Sequence, residues 1–423
     1  MTNIENIDKN FDQRSIYKLV ESLAEGNFKN EIELLSKLVK KIVDDSGFGL
    51  NGGRVWELIP KDNTYILKYQ YGKIKKIPKS YKVHIAQMPV FKAMYNNRTQ
   101  INYETDVLLK NTGIELFSAS GVGDLIRIDN HKYYQYVLSF NADTILQSFY
   151  ETLTIISGVS SVAIRDLKQR TKQKLLNKDL ERAAEIQRNL LPEHKTQFAD
   201  YDIYGVCIPD SQVGGDYFDY IPSLDDEEER LSIVICDAAS KGLPAAIQAL
   251  FVSGALKMGV SFGTKISRLI SRLNNLVWNT FNYERFVSLF FCELQTSSNR
   301  LVLYTNAGHC SPMHFHAESN SITLLPPTGG LLGILENQSF KVENLTMQPG
   351  DILVLYTDGI TESQNSDHEL YGENRLMNII RKEKNKSSKE IAVNIIDSVI
   401  KFCINSTYTD DKTIVVIKRE INS

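Results

Sequence analysis

The segment 231–246 reads LSIVICDAASKGLPAA: an almost unbroken apolar run stops on Asp237, passes through small residues to Gly242, and turns helical from Leu243. Three other places share this form. ILVLYTD (352–358) ends on Asp358 and is followed by Gly359. In VGGDYFD (213–219) Asp216 follows two glycines and opens a strand-like run, and in DDKTIVVI (410–417) Asp410 and Asp411 precede one. A carboxylate at the end of a buried strand stands at the rim of a core, where distant parts of the chain can meet. Unpaired it is costly there, and several together repel one another. Divalent cations remove both problems. Oxygen ligands with no Cys or His among them suit Mg²⁺ or Mn²⁺ better than zinc. Gly215 and Gly359, beside two of the aspartates, let backbone and water come close to such ions.

Working outward, Pro192 closes a helix because it has no N–H to continue the ladder, and beyond it the hydrophobic period becomes two. Strand-like runs lie at 201–208, 216–221, 230–236, 286–294, 300–306, 311–316, 351–357 and 413–418. Helical stretches lie at 243–260, 264–280, 373–383 and 388–404. Strand pairs joined by short loops describe an α+β sandwich rather than an alternating βαβ sheet. The acidic run 225–229 reads as a solvated loop.

Upstream, 145–191 has no proline and a narrow apolar stripe: Ile156, Val159, Ala163, Leu167, Leu175, Leu176, Leu180, Ala183 and Ala184. A long charged helix with such a stripe must cover it. A second copy of the helix in a parallel coiled coil is the expected cover, and its own domain the alternative. Before it, an amphipathic helix at 31–45 is followed by strand-like runs at 54–59, 64–71, 100–103, 125–128 and 132–140. Helical pieces near 86–96 and 142–160 complete a mixed α+β pattern. The expected organisation is a flexible terminus (1–24), a first domain (25–160), a helical linker (161–192) and a second domain (193–423).

Of 423 residues, 42% are hydrophobic and 23% charged, which excludes a disordered or fibrous chain. Lys plus Arg number 48 against 51 Asp plus Glu, a net charge of −3 that argues against nucleic acid as a main partner. No window approaches the ~18–20 unbroken apolar residues of a membrane span, and the start of the chain lacks an apolar signal core; a cytoplasmic protein is expected. The five cysteines (207, 236, 292, 310 and 403) show no CxxC spacing and read as free thiols.

Six motifs occur in order: EIQRNLLP (185–192), VGGDYFD (213–219), CDAASKGLPAA (236–246), NAGHCSP (306–312), YTDGITE (356–362) and DDKT (410–413). Together they resemble the bacterial SpoIIE-like, RsbU-like branch of the PPM-type metal-dependent protein serine/threonine phosphatases, over about 181–418. The size and element order of the first domain resemble a GAF-like sensory domain. The first resemblance implies an α-β-β-α sandwich around two cations, Mn²⁺ or Mg²⁺. It implies that Asp216 bridges the ions, that Asp237 and the Ala238 carbonyl bind them, and that Asp358 and Asp410 complete the ligands. Asp411 stands beside the set, and an exchange of roles with Asp410 stays open. Gly215 and Gly359 would support the ligands from behind, and Lys241 is a candidate phosphate contact beside the reading of a solvated lysine. One departure is Ser240, where the family usually carries glycine.

The resemblance also implies a phosphorylated regulatory protein as substrate, such as an anti-sigma-factor antagonist, and a helix end at 185–192 whose position can switch activity. A catalytically weak scaffold that binds phosphoproteins, or a hydrolase for a small phosphorylated metabolite, stays open at this point. His314 and His316 share a strand face, but the sequence offers them no third metal ligand. His309 reads as structural, paired with Asn306; His84 and His131 read as surface residues.

Overall fold

The computed structural model describes residues 21, 26–104, 106–111, 115–223, 229–281, 286–296, 301–404 and 410–421. The expected terminus 1–24 and the acidic run 225–229 lie outside the described residues except for Glu21 and Glu229. The chain divides into two compact units, Met1–Leu176 and Asn177–Ser423.

In the first unit, β1 (Gly52–Ile59), β2 (Thr64–Gly72), β3 (Lys82–His84), β4 (Thr99–Tyr103), β5 (Leu116–Ile128) and β6 (His131–Asn141) form an antiparallel sheet. The strand order is β3-β2-β1-β6-β5-β4. Alternation along β1 sends Val55 to one face and Trp56 to the other. The Val55 face is covered by the helix Glu31–Asp44, which buries Leu34, Leu35, Leu38, Val39 and Ile42 and is capped by the Asn30 side chain accepting from the Glu33 amide. The helix Gln147–Leu190 adds Phe149, Leu153, Ile156 and Ile164 to the same core.

That packing changes the reading of the apolar stripe. Ile156, Val159, Ala163 and Leu167 are taken up by their own unit, and the stripe emerges into solvent at Leu175 and Leu176. The helical pieces expected near 86–96 are a 3₁₀ turn at Ile85–Gln87 and a short helix, Val90–Ala93, kept apart because Pro89 disfavours helix in the residue before it. The run expected at 125–128 is the end of a much longer β5. Its middle, Ser118, Ala119 and Ser120, is buried yet has no large apolar residue to reveal the alternation.

The second unit stacks two antiparallel sheets. One is ordered β15-β12-β11-β10-β9, from β9 (Tyr217–Pro222), β10 (Arg230–Ala238), β11 (Val287–Gln295), β12 (Leu301–Ala307) and β15 (Glu343–Thr346). The other is ordered β14-β13-β16-β17-β8-β7, from β7 (Lys195–Phe198), β8 (Tyr201–Ile208), β13 (Met313–His316), β14 (Ser321–Leu324), β16 (Ile352–Tyr356) and β17 (Lys412–Arg419). Ile233, Ile235 and Phe290 of the first meet Ile203, Leu355 and Val415 of the second in a shared core. Helices Leu243–Ser261 and Ile266–Thr280 cover the outer face of the first sheet, and Gly372–Glu383 and Ser388–Phe402 that of the second. The result is the expected α+β sandwich. The short strands β7, β14 and β15 carry too few apolar residues for their period to be seen in the sequence.

Leu243–Ser261 is long and apolar enough, by length and composition, to cross a membrane. Its Ala245, Ala249, Val252 and Leu256 are buried against the first sheet.

Candidate metal centre

Strand register brings the aspartates to one end of the sandwich. Antiparallel pairing of Cys236 with Tyr217 sets Asp237 opposite Asp216 at the edge of the first sheet. Pairing of Tyr356 with Ile414, continued by the Thr357 amide on the Thr413 carbonyl, brings Asp358 level with the start of β17 and so with Asp410 and Asp411. Asp237, Asp358, Asp410 and Asp411 line one cavity of about 480 Å³, together with Ala238 and Lys241. Asp216 does not line it. It sits behind, buried, on the wall of a neighbouring cavity of about 330 Å³.

The two carboxylates of the DDKT motif do different work. Asp411 Oδ1 accepts from the Asp210 amide at 2.8 Å, and its Oδ2 accepts from the Gly215 amide at 2.6 Å and the Asp216 amide at 3.4 Å. It clamps the loop that presents Asp216. Asp410 makes an ion pair with Lys241 at 3.0 Å, and its Oδ1 accepts from the Asp411 amide at 3.0 Å.

The glycines fit the clamp. A Cβ on Gly359 would lie 1.8 Å from the Asp411 carbonyl oxygen, and one on Gly214 2.7 Å from Asp411 Oδ2. Ser240 replaces a glycine without strain, since the positive φ of the loop falls on Gly242 instead. Its hydroxyl donates to Gln248 Oε1 at 3.1 Å.

Crowding of like charge marks the site electrostatically. Burial, and then the neighbouring Asp237, hold the Asp216 carboxyl well above the usual carboxylate range. Burial first, then Asp358 and Asp410, push Asp237 up to about 8. Asp358 is also raised, by burial and by Glu362 and Asp410. Such a cluster is uncomfortable with protons alone, and its all-oxygen donor set fits hard divalent cations. Asp216, Asp237, the Ala238 carbonyl, Asp358 and Asp410 are the groups that could hold them.

Two residues escaped the sequence reading. Thr357 Oγ1 donates to Asp216 Oδ2 at 2.7 Å and accepts from the Thr413 amide at 3.0 Å, tying the carboxylate of one sheet to the other. Gln187, on the helix Gln147–Leu190, donates to the Gly214 carbonyl at 2.7 Å and accepts from the Gly214 amide at 3.2 Å. Both lie inside quoted motifs, but nothing local to them announces partners so far along the chain.

The histidines are not among these groups, although His309 adjoins them through Ser288, the strand partner of Asp237. His309 is buried, its amide bonded to Asn306 Oδ1 and its Nδ1 2.8 Å from Ser288 Oγ, and burial pushes its pKa down to about 4. His314 and His316 do acquire a third neighbour that the sequence did not offer them: Asp351, whose ligand atom and theirs lie within 4.8 Å of one another. Its oxygens, however, are engaged by the Ala317 and Gln348 amides and by His314. His84 and His131 are exposed, and all five cysteines are free.

Residues 227–420 match the family model described as Stage II sporulation protein E (SpoIIE). It is similar to the phosphoserine phosphatase RsbU of Bacillus subtilis (strain 168), with 26% identity over 249 residues, 59% of this chain and 72% of RsbU. It is also similar to the protein IcfG of Synechocystis, with 29% identity over 279 residues, 59% of this chain but 43% of IcfG. Among solved structures, the SiaA-PP2C domain of Pseudomonas aeruginosa aligns at a TM-score of 0.49 with 18% identity, covering 58% of this chain and 98% of that one.

Proposed function

We propose that the second unit is a protein phosphatase that hydrolyses phosphoserine or phosphothreonine in a partner regulatory protein, using two divalent cations, Mn²⁺ or Mg²⁺. The observation that carries this reading is the meeting of carboxylates from three separate stretches of chain around one open cavity, with Asp216 from a fourth buried behind it, and with the proton affinities of Asp216 and Asp237 raised by burial and by neighbouring carboxylates. Bound there, a pair of divalent cations would make water a stronger nucleophile and offset charge on the phosphoryl oxygens. The protein's own part is positioning. Thr357 orients Asp216, Asp411 fixes the backbone on which Asp216 stands, and Lys241 holds positive charge at the mouth, 3.0 Å from Asp410. The SpoIIE-family match and the likeness to RsbU support the same chemistry.

The rest of the proposal concerns control. The first unit acts as a GAF-like sensor, and the helix Gln147–Leu190 relays its state, with Gln187 as the contact to the Gly214 loop. The exposed stretch around Leu175 and Leu176 pairs two cytoplasmic protomers as a parallel coiled coil. The substrate is a small phosphoprotein such as an anti-sigma-factor antagonist.

Hydrolysis of an aryl phosphate and of a phosphoserine peptide, each with Mn²⁺, tests the chemistry. Turnover lost on chelation and in Asp216→Asn supports it. Metal-independent turnover, or none with the peptide under any divalent cation, overturns it.

A further inference from the structure

The first unit contains a buried positive charge that its own fold leaves incompletely satisfied. Arg54, on β1, is 1% exposed. Its Nη1 donates to Asn141 Oδ1 at 2.5 Å, its Nη2 reaches the Lys75 carbonyl at 3.5 Å, and its Nε has no partner. A guanidinium cannot shed its proton to escape this, and even with burial drawing its pKa down to about 10 it is charged at neutral pH. A neutral water in its place would satisfy a donor but leave the charge uncompensated.

Arg54 borders a small cavity of about 30 Å³, room for about two or three water-sized groups. Most of the wall is apolar, including Trp56, Phe91, Phe117 and Val137. Trp56 has committed its indole N–H to Ser139 Oγ, so that ring offers the cavity a face and no donor. Glu104 also borders the cavity, but its carboxylate is turned to its own loop, where Oε1 accepts from the Asp106 amide at 2.9 Å. It lies near enough to favour the arginine's charge without forming an ion pair with it.

We propose that this cavity binds a small monocarboxylate of the formate-to-propionate class, its carboxylate on the free edge of Arg54 and any short alkyl tail against the aromatic wall. A carboxylate matches the guanidinium fork in shape and charge. The small volume excludes larger acids, and the apolar wall disfavours strongly hydrated inorganic anions. Glu104 restricts the ligand to a single negative charge and keeps affinity modest.

Trp56 borders the cavity, so its fluorescence reports occupancy. The full chain carrying Trp278→Phe, which leaves Trp56 as the single tryptophan, is titrated with formate, acetate and propionate at fixed pH and ionic strength, with chloride as the control anion. We expect a saturable change with the carboxylates and none with chloride, accompanied by a rise in unfolding temperature that follows occupancy. Affinity should fall at least about tenfold in Arg54→Lys, which keeps the charge but loses the fork, and rise in Glu104→Gln. Because changes at Arg54 risk the fold, Ala119→Leu is the second variant. Ala119 lines the cavity, and the larger side chain fills it without touching a charge. A response that is unsaturable, equal for chloride, or unchanged in a folded Ala119→Leu protein overturns the proposal and leaves water as the occupant.

Discussion

Replacing Asp411 with asparagine separates the two acids that the sequence leaves interchangeable. The Asp411 carboxylate receives the Asp210 and Gly215 amides on different oxygens, at 2.8 and 2.6 Å. An asparagine can offer only one acceptor atom, so whichever way its amide turns, one backbone N–H faces an NH₂ group. A hydrogen bond to a charged group contributes about 1.5–3 kcal/mol, and an orphaned donor costs about 1–3 kcal/mol more. The site is half-exposed, so only the bottom end of the sum applies, about 2–3 kcal/mol. Relief of repulsion returns little of this at pH 7, because Asp237, with its pKa pushed up to about 8, is already mostly protonated when no cation is bound. Hydrogen exchange of the 208–218 segment, measured with chelator present, reads the loss directly. At 1.4 kcal/mol per tenfold, exchange should accelerate about 30- to 150-fold in Asp411→Asn. Asp410→Asn removes a half-exposed ion pair with Lys241, contributes about 0–1 kcal/mol, and should change exchange of the same segment by less than about fivefold. Equal acceleration in both variants, or none in Asp411→Asn, refutes the clamp.

Three further outcomes follow from the same geometry. Gly359→Ala drives a Cβ to 1.8 Å from the Asp411 carbonyl oxygen; with backbone on both sides we expect a loss of about 1–3 kcal/mol in denaturant unfolding and a parallel loss of divalent-cation affinity by calorimetry. His309, neutral in the fold with its pKa near 4 against about 6.5 unfolded, contributes stability that is complete above pH 6.5 and lost as pH falls toward 4, about 3 kcal/mol in all. The difference in unfolding free energy between the wild-type chain and His309→Gln, followed from pH 7 to pH 4, should therefore shrink; a constant difference counts against it. Because Asp237 is raised, the fold without cations loses stability as pH rises through about 8, and cation binding at pH 7 should expel protons, seen as a dependence of calorimetric heat on the buffer's ionisation enthalpy.

What the sequence made legible is what short-range pattern encodes. Strands with alternating or unbroken apolar runs, such as β10, β16 and β17, were visible, and so were the aspartates that punctuate them. The middle of β5 was not, since its buried Ser118, Ala119 and Ser120 pack through smallness; at Gly121 a Cβ would lie only 2.0 Å from the Tyr134 ring. The helical pieces near 86–96 stay short and separate because Pro89 stands between them.

The site follows the same division. Its charged residues were legible because four apolar runs are bounded by carboxylates, although each alone is an ordinary turn former. Its supports were not, because a support is defined by its partner. Thr357 is an ordinary strand-end hydroxyl until register sets it 2.7 Å from Asp216, 141 residues earlier in the chain, and Asp411 differs from Asp410 only in which backbone amides the fold brings to it. The same holds for Arg54, which reads as the first residue of a strand-like run and becomes exceptional only when the fold buries it. Residue identity thus carries the chemistry of this chain, while tertiary register decides which of two adjacent identical residues pairs with Lys241 and which holds the backbone in place.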